Sequence, residues 1–226
     1  LPVLRETDYS GSGNSRRLAA AWALGHIGAD KAEAFPAAAD ALVRAAERDP
    51  APAVRAQAAL ALARLKDPRA VVWLDWVMRH YVPERNAAIR ALWQVDDPKA
   101  TDMLAEALET DDDPLGRVLA ARGLALRNDP RGAAGLKALV TTVTERVALQ
   151  AAVKFAADLR DPALAPTFIR LATAGHEKAT IFIAVEAANA LGQCPAPEAT
   201  ATLIALLDSP SSRLREAAAR GLKANP

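Results

Sequence analysis

The stretch that decides the fold is residues 52–68, which have the sequence PAVRAQAALALARLKDP. Arg55 is followed by alanine three and six places later and by Leu62 seven places later, and the stretch ends in Asp-Pro. Its apolar residues lie four, seven, eight and eleven places after the first one, which is the spacing of one buried helix face. These residues are Val54, Ala58, Ala61, Leu62 and Leu65. The stretch therefore predicts a helix with one buried face, closed by a turn.

The same template recurs along the whole chain. The position of Leu62 is repeated at Leu24, Leu92, Leu124, Ala156, Leu191 and Leu222. Successive copies lie 38, 30, 32, 32, 35 and 31 residues apart, which averages 33. Seven copies at one period indicate a repeat protein, in which each unit packs mainly on its sequence neighbours.

Four turns between copies share an Asp-Pro pair, at residues 67–68, 97–98, 129–130 and 161–162. Aspartate accepts hydrogen bonds from the free N–H groups at a helix start. Proline suits the first helical position, where its missing N–H would have had no partner. Each pair therefore predicts the start of a new first helix, and the first helices are expected at Lys31–Arg48, Arg69–Tyr81, Lys99–Thr110, Arg131–Thr142, Ala163–Ala174 and Glu198–Asp208.

The chain begins with a segment that fits the same scheme only in part. Leu1–Thr7 resembles a shortened first helix, and the Gly/Ser stretch at residues 10–13 is predicted to be the loop that follows it. We expect residues 1–226 to form a single solenoid domain that belongs to a longer parent protein.

Composition favours helices and excludes several classes of protein. Hydrophobic residues make up 51% of the chain but aromatic residues only 4%, so Ala, Leu and Val carry the apolar fraction. Alanine and leucine are strong helix formers, which predicts an all-α fold. The 28 basic and 27 acidic residues nearly cancel, whereas nucleic-acid binders usually show a basic excess. Cys194 is the chain's single cysteine, so an internal disulfide framework is excluded, and no apolar run is long enough to span a membrane.

Residues 16–28, RRLAAAWALGHIG, resemble the second-helix signature of HEAT repeats, in particular the short bacterial type found in PBS lyases. The resemblance covers essentially the whole chain. It implies a right-handed α-α superhelix of about seven hairpins whose second helices line the concave side. The resemblance says little about function, because this fold occurs in proteins with many unrelated functions.

The resemblance also assigns a structural role to a recurring arginine. In HEAT repeats an arginine at this position forms a ladder of bonds to aspartates and carbonyls of the preceding loop. Its equivalents here are Arg17, Arg55, Arg85, Arg117 and Arg215, whereas Leu149 and Ala184 occupy the position in two copies. We expect the aspartates at positions 49, 111 to 113 and 208 to supply the partners.

Five residues after the ladder arginine lies a second column, which lies off the predicted buried face. It consists of Trp22, Leu60, Arg90, Arg122, Lys154, Asn189 and Arg220. One interpretation is a basic groove for an acidic peptide, a carboxylate-rich protein surface or phosphate. The other is an ordinary solvated helix face, neutralised by Asp158, Glu186 and Glu216. The sequence leaves both open.

Trp73 and Trp76 are three residues apart, so they lie on one face of a first helix. Exposed tryptophans are enriched at interaction hot spots, which makes the pair a possible outer-face patch. We favour the alternative that the two rings pack against the neighbouring hairpin, through Tyr81 or the helix at Lys31–Arg48.

Enzymes built on HEAT-like repeats are the main competing class. Deoxyhypusine hydroxylase resembles this fold but holds two irons with several His-Glu pairs, whereas this chain has the one pair His176-Glu177 besides His26 and His80. HEAT-like DNA glycosylases combine a cationic cleft with aromatic residues and a carboxylate. No nucleophile–base motif, phosphate loop or metal-spaced cluster is recognisable, so no catalytic residue, metal or cofactor is assigned. Cys194 is expected to be a small buried thiol.

The sequence therefore favours a non-enzymatic scaffold or adaptor that binds a protein or acidic peptide through its concave face. The alternatives are a nucleic-acid-binding or base-processing protein and an architectural spacer within a larger protein. A chain with one cysteine suits the reducing cytoplasm, which we favour, and also a periplasm without disulfides.

Overall fold

The structure, a computed structural model, describes residues 11–27, 36–174 and 180–224. Within these ranges the chain is all-α, with thirteen α-helices, two short 3-10 turns and no strand. The helices are α1 (Gly11–Ile27), α2 (Pro36–Arg48), α3 (Pro52–Arg64), α4 (Ala70–His80), α5 (Arg85–Leu92), α6 (Pro98–Thr110), α7 (Pro114–Leu126), α8 (Pro130–Thr142), α9 (Arg146–Ala157), α10 (Ala165–Thr173), α11 (Ile181–Leu191), α12 (Pro197–Leu206) and α13 (Ser212–Ala224). The predicted fold class is confirmed.

The helices group into two compact units, Leu1–Asp111 and Asp112–Pro226. In the first unit the second helix α3 packs between α1 and α5, and the first helix α4 contacts both α2 and α6. In the second unit α9 packs between α7 and α11, and α11 also packs against α13. Helices one repeat apart are therefore neighbours within each unit, as stacking of hairpins requires. That all residues form one continuous domain stays a prediction.

The Asp-Pro turns have the predicted geometry. The side chains of Asp97, Asp129 and Asp161 accept the amide N–H two residues later at 2.8 to 2.9 Å. Asp67 accepts the N–H of Arg69 at 2.9 Å in the same way. In three of these turns the residue directly before the aspartate has a positive φ: Lys66 (56°), Asn128 (58°) and Arg160 (49°). The residue with positive φ ends the second helix of one hairpin, and the aspartate that follows it caps the first helix of the next hairpin.

The helix boundaries differ from the expected ones at three places. The helix α1 begins at Gly11. The prediction of a Gly/Ser loop is therefore wrong for Gly11–Gly13, because these weak helix formers belong to the first turn of a helix that continues to Ile27. The helix after Asp161 begins as a 3-10 turn at Pro162–Leu164 before α10 continues it. A second 3-10 turn, Val82–Glu84, connects α4 to α5. Leu1–Thr7 and residues 31–35 lie outside the described residues.

The predicted core face is buried. Val54, Ala58, Ala61, Leu62 and Leu65 are at most 7% exposed. Cys194, which takes the position of Leu65 in the second unit, is 1% exposed. Glycines let the helices approach closely at two contacts. A Cβ on Gly25 would lie 2.7 Å from the Cβ of Ala61, and one on Gly192 would lie 2.4 Å from the Cα of Gly221.

Candidate interaction surface

The ladder arginines are held by contacts between neighbouring hairpins. Arg17 lies in α1, and its guanidinium Nε is 2.8 Å from Oδ2 of Asp49, with both side chains at most 4% exposed. Arg85 forms an ion pair of 3.1 Å with the fully buried carboxylate of Asp111. In both pairs the aspartate lies in the loop after the next first helix, not in the loop before the arginine. The pairs therefore connect consecutive second-helix starts.

The other ladder positions make different contacts. Arg215 donates to the backbone carbonyls of Ser209 and Pro210, at 2.7 and 3.1 Å. The guanidinium of Arg55 lies over the ring of Trp76, 4.2 Å from its centroid. Arg117 is half-buried in α7. Arg17 and Arg85 thus pair with an aspartate in the equivalent loop, whereas Arg55 and Arg215 make other contacts.

In the first unit the predicted column places two residues at the surface. The indole of Trp22 is 52% exposed and stacks on His26, with ring centroids 3.8 Å apart. Arg90 is exposed on α5. Leu60 is only 5% exposed, so the prediction that the whole column lies off the buried face is wrong at this residue, where α3 is covered by neighbours on both sides.

In the second unit the column lies on four helices that pack in order, α7, α9, α11 and α13. Arg122 is paired with Asp158 at 2.8 Å, and its guanidinium lies 5.4 Å from the ring centroid of Phe155. Phe155 was not predicted, although it follows Arg122 by 33 residues, the mean repeat length. Asp158 was anticipated as a neutralising residue, and it does pair with a column cation.

The rest of this column carries two further cations, on α9 and α13. Lys154 is exposed on α9, and its positive charge acts on the half-buried Glu186 of α11. Burial raises the pKa of Glu186, and the charge of Lys154 opposes that rise. Arg220 is exposed on α13 and approaches the side-chain oxygen of Asn189 at 3.5 Å, the upper end for a hydrogen bond.

The outer-face pair is half-buried and makes contacts within the first unit. Trp76 is covered by Arg55 on one side and stacks against His80, with ring centroids 5.7 Å apart. Leu74 and Val77 take the buried positions of α4, as expected, while Met78 is half-buried. The guanidinium over the Trp76 ring belongs to α3, and packing of the two rings through Tyr81 or α2 stays a prediction. Trp73 is also half-buried.

Among residues 11–27, 36–174 and 180–224 there is no group of three His, Cys, Asp or Glu side chains placed to hold a metal ion. Burial raises the pKa of the Cys194 thiol, and its sulfur contacts the carbonyl of Asp161 at 3.5 Å. A raised pKa keeps the thiol protonated and unreactive. The His176-Glu177 pair lies outside the described residues. None of the helices described here has the length and apolarity needed to cross a bilayer.

Comparisons with known proteins agree with this architecture. The family model of HEAT repeats matches residues 10–81 and 81–155, and the PBS lyase HEAT-like repeat matches residues 183–209. No curated protein matches the sequence.

Three solved structures with a similar fold are distant in sequence. The complex of CpcE and CpcF of phycocyanin lyase from Nostoc sp. PCC7120 is 19% identical, with a TM-score of 0.52, covering 100% of this chain and 92% of that one. Human deoxyhypusine hydroxylase is 20% identical, with a TM-score of 0.46 and coverages of 99% and 83%. A designed armadillo repeat protein is 15% identical, with a TM-score of 0.37 and coverages of 100% and 98%. At such identities the likeness to these structures concerns the fold alone. The HEAT-repeat model, however, matches more than half of this chain, so the chain belongs to the HEAT-repeat family.

Proposed function

We propose that this chain is a non-enzymatic interaction scaffold that binds a protein partner or acidic peptide on the face formed by its second helices. The observation that carries the proposal is the row of cations on the second unit. Arg122, Lys154 and Arg220 come from three different helices of one packed row, α7, α9 and α13. Packed helices lie about 8–10 Å apart, so such a row suits an extended partner that crosses several repeats.

The row is charged but not uniformly basic. Asp158 neutralises Arg122, and Glu186 lies within the field of Lys154. A surface with cations and carboxylates at fixed places favours a partner with a matching pattern over a uniform polyanion. The near-zero net charge of the chain supports the same choice of a protein partner over nucleic acid.

The experiment uses the purified chain as bait in a cross-linking capture, followed by affinity measurement with each captured protein after purification. The test variant is Lys154→Glu with Arg220→Glu, because both side chains are exposed. The control is Arg44→Glu with Arg48→Glu, which reverses two exposed charges on α2, a first helix. We expect the test variant to weaken binding at least about tenfold, since charge reversal adds repulsion to the lost attraction.

The proposal would be contradicted if the Lys154→Glu, Arg220→Glu variant bound every captured partner as tightly as the Arg44→Glu, Arg48→Glu control does. The nucleic-acid alternative is tested with duplex DNA across a salt series, because phosphate contacts give a steep loss of affinity with salt. Tight, steeply salt-dependent DNA binding that the Lys154→Glu, Arg220→Glu variant abolishes would replace the protein-scaffold proposal with that alternative.

A further inference from the structure

The first unit contains a cavity of about 300 Å³ between the second helices α3 and α5. Its walls combine small apolar side chains with two arginines, a tryptophan and a glutamine. The lining residues are Leu60, Ala63, Arg64, Ala87, Arg90, Ala91, Trp93 and Gln94. This volume lies at the lower end of the range of ~300–1,000 Å³ typical of small-ligand pockets, so it suits one side chain better than a large cofactor.

No described residue neutralises the charge of the cavity. Arg64 and Arg90 line it, and none of the described lining residues is a carboxylate. Neither arginine forms an ion pair with any of the described residues, whereas Arg122 of the second unit is paired with Asp158. The Nη1 atom of Arg64 is shielded from solvent and has no hydrogen-bond acceptor in the described part of the chain.

A guanidinium group stays protonated in proteins, so Arg64 retains its charge when part of it is buried. The positive charge is delocalised over the guanidinium, so an anion bound in the cavity beside Arg64 and Arg90 acts as a counter-charge to both. The cavity is therefore electrostatically complementary to an anionic group that the described lining residues do not supply.

The shape of the lining selects among anions. Ala87 and Ala91, which are half-buried, offer apolar surface for an aliphatic stem, and two planar guanidinium groups match the planar geometry of a carboxylate. A nucleic acid would instead require a continuous basic surface, and the chain as a whole has 28 basic against 27 acidic residues. An acidic side chain of a protein fits this combination best.

We infer that the cavity between α3 and α5 binds a glutamate or aspartate side chain from an acidic segment of the partner protein. Arg64 and Arg90 bind the carboxylate, the alanines contact its stem, and Trp93 forms part of the wall. This inference rests on the proposed scaffold function, and it adds a specificity pocket in the first unit to the cation row of the second.

The test measures binding of a fluorescein-labelled hexaglutamate peptide by fluorescence anisotropy at low salt. The variants are Arg64→Gln and Arg90→Gln, and Arg44→Gln is the matched control, because it removes the same charge from an exposed position on α2. We expect each pocket variant to bind at least about tenfold more weakly and the control to bind like the parent chain, since each lost contact is a charge-assisted hydrogen bond.

Two further measurements keep the result interpretable. Thermal unfolding followed by circular dichroism shows whether a variant is folded, and Arg90→Lys, which keeps the charge but not the planar fork, should retain part of the affinity. Because Arg90 is exposed, its substitution should leave the fold intact even if Arg64→Gln does not.

Unchanged peptide affinity in folded Arg64→Gln and Arg90→Gln chains would overturn the inference. So would a phosphoserine peptide of equal charge, or duplex DNA, that binds more tightly than hexaglutamate and depends on the same two arginines. If the pocket variants have no effect on an identified partner while the Lys154→Glu, Arg220→Glu variant does, the pocket is rejected and the scaffold function stands. If no partner's affinity depends on the two pocket arginines or on Lys154 and Arg220, the scaffold function itself is rejected.

Discussion

Arg17 and Asp49 form a buried, two-point ion pair although 32 residues separate them in the chain. The guanidinium Nε and Nη2 atoms lie 2.8 and 3.3 Å from the two carboxylate oxygens. Nη2 also donates to the side chain of Asn14 at 2.6 Å, and Asp49 accepts the amide N–H of Ala51 at 2.9 Å. The pair thus joins α1 to the start of α3, which are packed neighbours.

Asp49→Ala should lower the free energy of unfolding by about 3–5 kcal/mol, because it leaves the buried guanidinium of Arg17 without its counter-charge. The matched control is Asp40→Ala, which removes an aspartate from an exposed ion pair with Arg69 at 2.8 Å. Exposed pairs contribute only about 0–1 kcal/mol. Urea unfolding of both variants measures the difference, and equal losses would show that the buried pair has no special weight.

Gly192→Ala should destabilise the second unit by about 1–3 kcal/mol, because its new Cβ would lie 2.4 Å from the backbone of Gly221. Gly221→Ala is the comparison. Its new Cβ would lie 3.0 Å from the flexible end of Leu203, which can move more readily than backbone, although a backbone oxygen lies 3.2 Å away. Thermal unfolding should therefore show the larger loss for Gly192→Ala. The reverse order would contradict the close approach of α11 and α13.

Asp97→Ala should cost about 1 kcal/mol of stability, since it removes the N-cap of α6, where the carboxylate accepts the N–H of Lys99 at 2.8 Å. Asp96→Ala removes an equal charge from the adjacent exposed residue. We expect that control to stay within about 0.5 kcal/mol of the parent chain. Chemical denaturation measures both, and a cost at Asp96 as large as at Asp97 would assign the effect to charge rather than to capping.

The pKa of Glu186 gives a prediction about pH. Burial raises this pKa above its ordinary value, and the positive charge of Lys154 partly opposes the rise. A raised acid pKa in the folded state means that the ionised carboxylate destabilises the fold above that pKa, and that this penalty is lost as the pH falls from the raised pKa to the ordinary pKa of the unfolded chain. Lys154→Met should therefore raise the pKa of Glu186 further and enlarge the loss of stability at pH values above it.

Carboxyl-carbon NMR titration of Glu186 measures this shift directly. Lys99→Met serves as the control, because Lys99 is an exposed lysine of α6 in the first unit, and it should leave the titration unchanged. A lowered pKa in the Lys154→Met chain would show that the lysine does not stabilise the Glu186 carboxylate.

The sequence predicted the helix pattern well because the relevant signals are local. Apolar spacing around Leu62 identified the buried face, and the Asp-Pro pairs identified helix starts, where side chain and amide are two residues apart. It failed at Gly11–Gly13, where glycine and serine suggested a loop but α1 already begins. Composition alone does not show whether a helix can extend through weak helix formers by packing on its neighbours.

The sequence also identified candidate surface residues without their partners. It aligned Arg90, Arg122 and Lys154 in one column, but it treated Leu60 as an equivalent member although that leucine is only 5% exposed. It did not distinguish Arg122, which is paired, from Arg90, which lines an open cavity. Those differences depend on side chains from other repeats.

The amino-acid order by itself determined the repeat length, the helix starts and the buried stripe, because capping and hydrophobic periodicity act over fewer than about ten residues. Only the tertiary structure decided that Arg17 meets Asp49, that Asp158 neutralises Arg122, and that Arg64 and Arg90 share a cavity with no carboxylate among its described lining residues. The physical reason is distance: these groups belong to different hairpins, and only the packing of consecutive hairpins sets which of them come within hydrogen-bonding range.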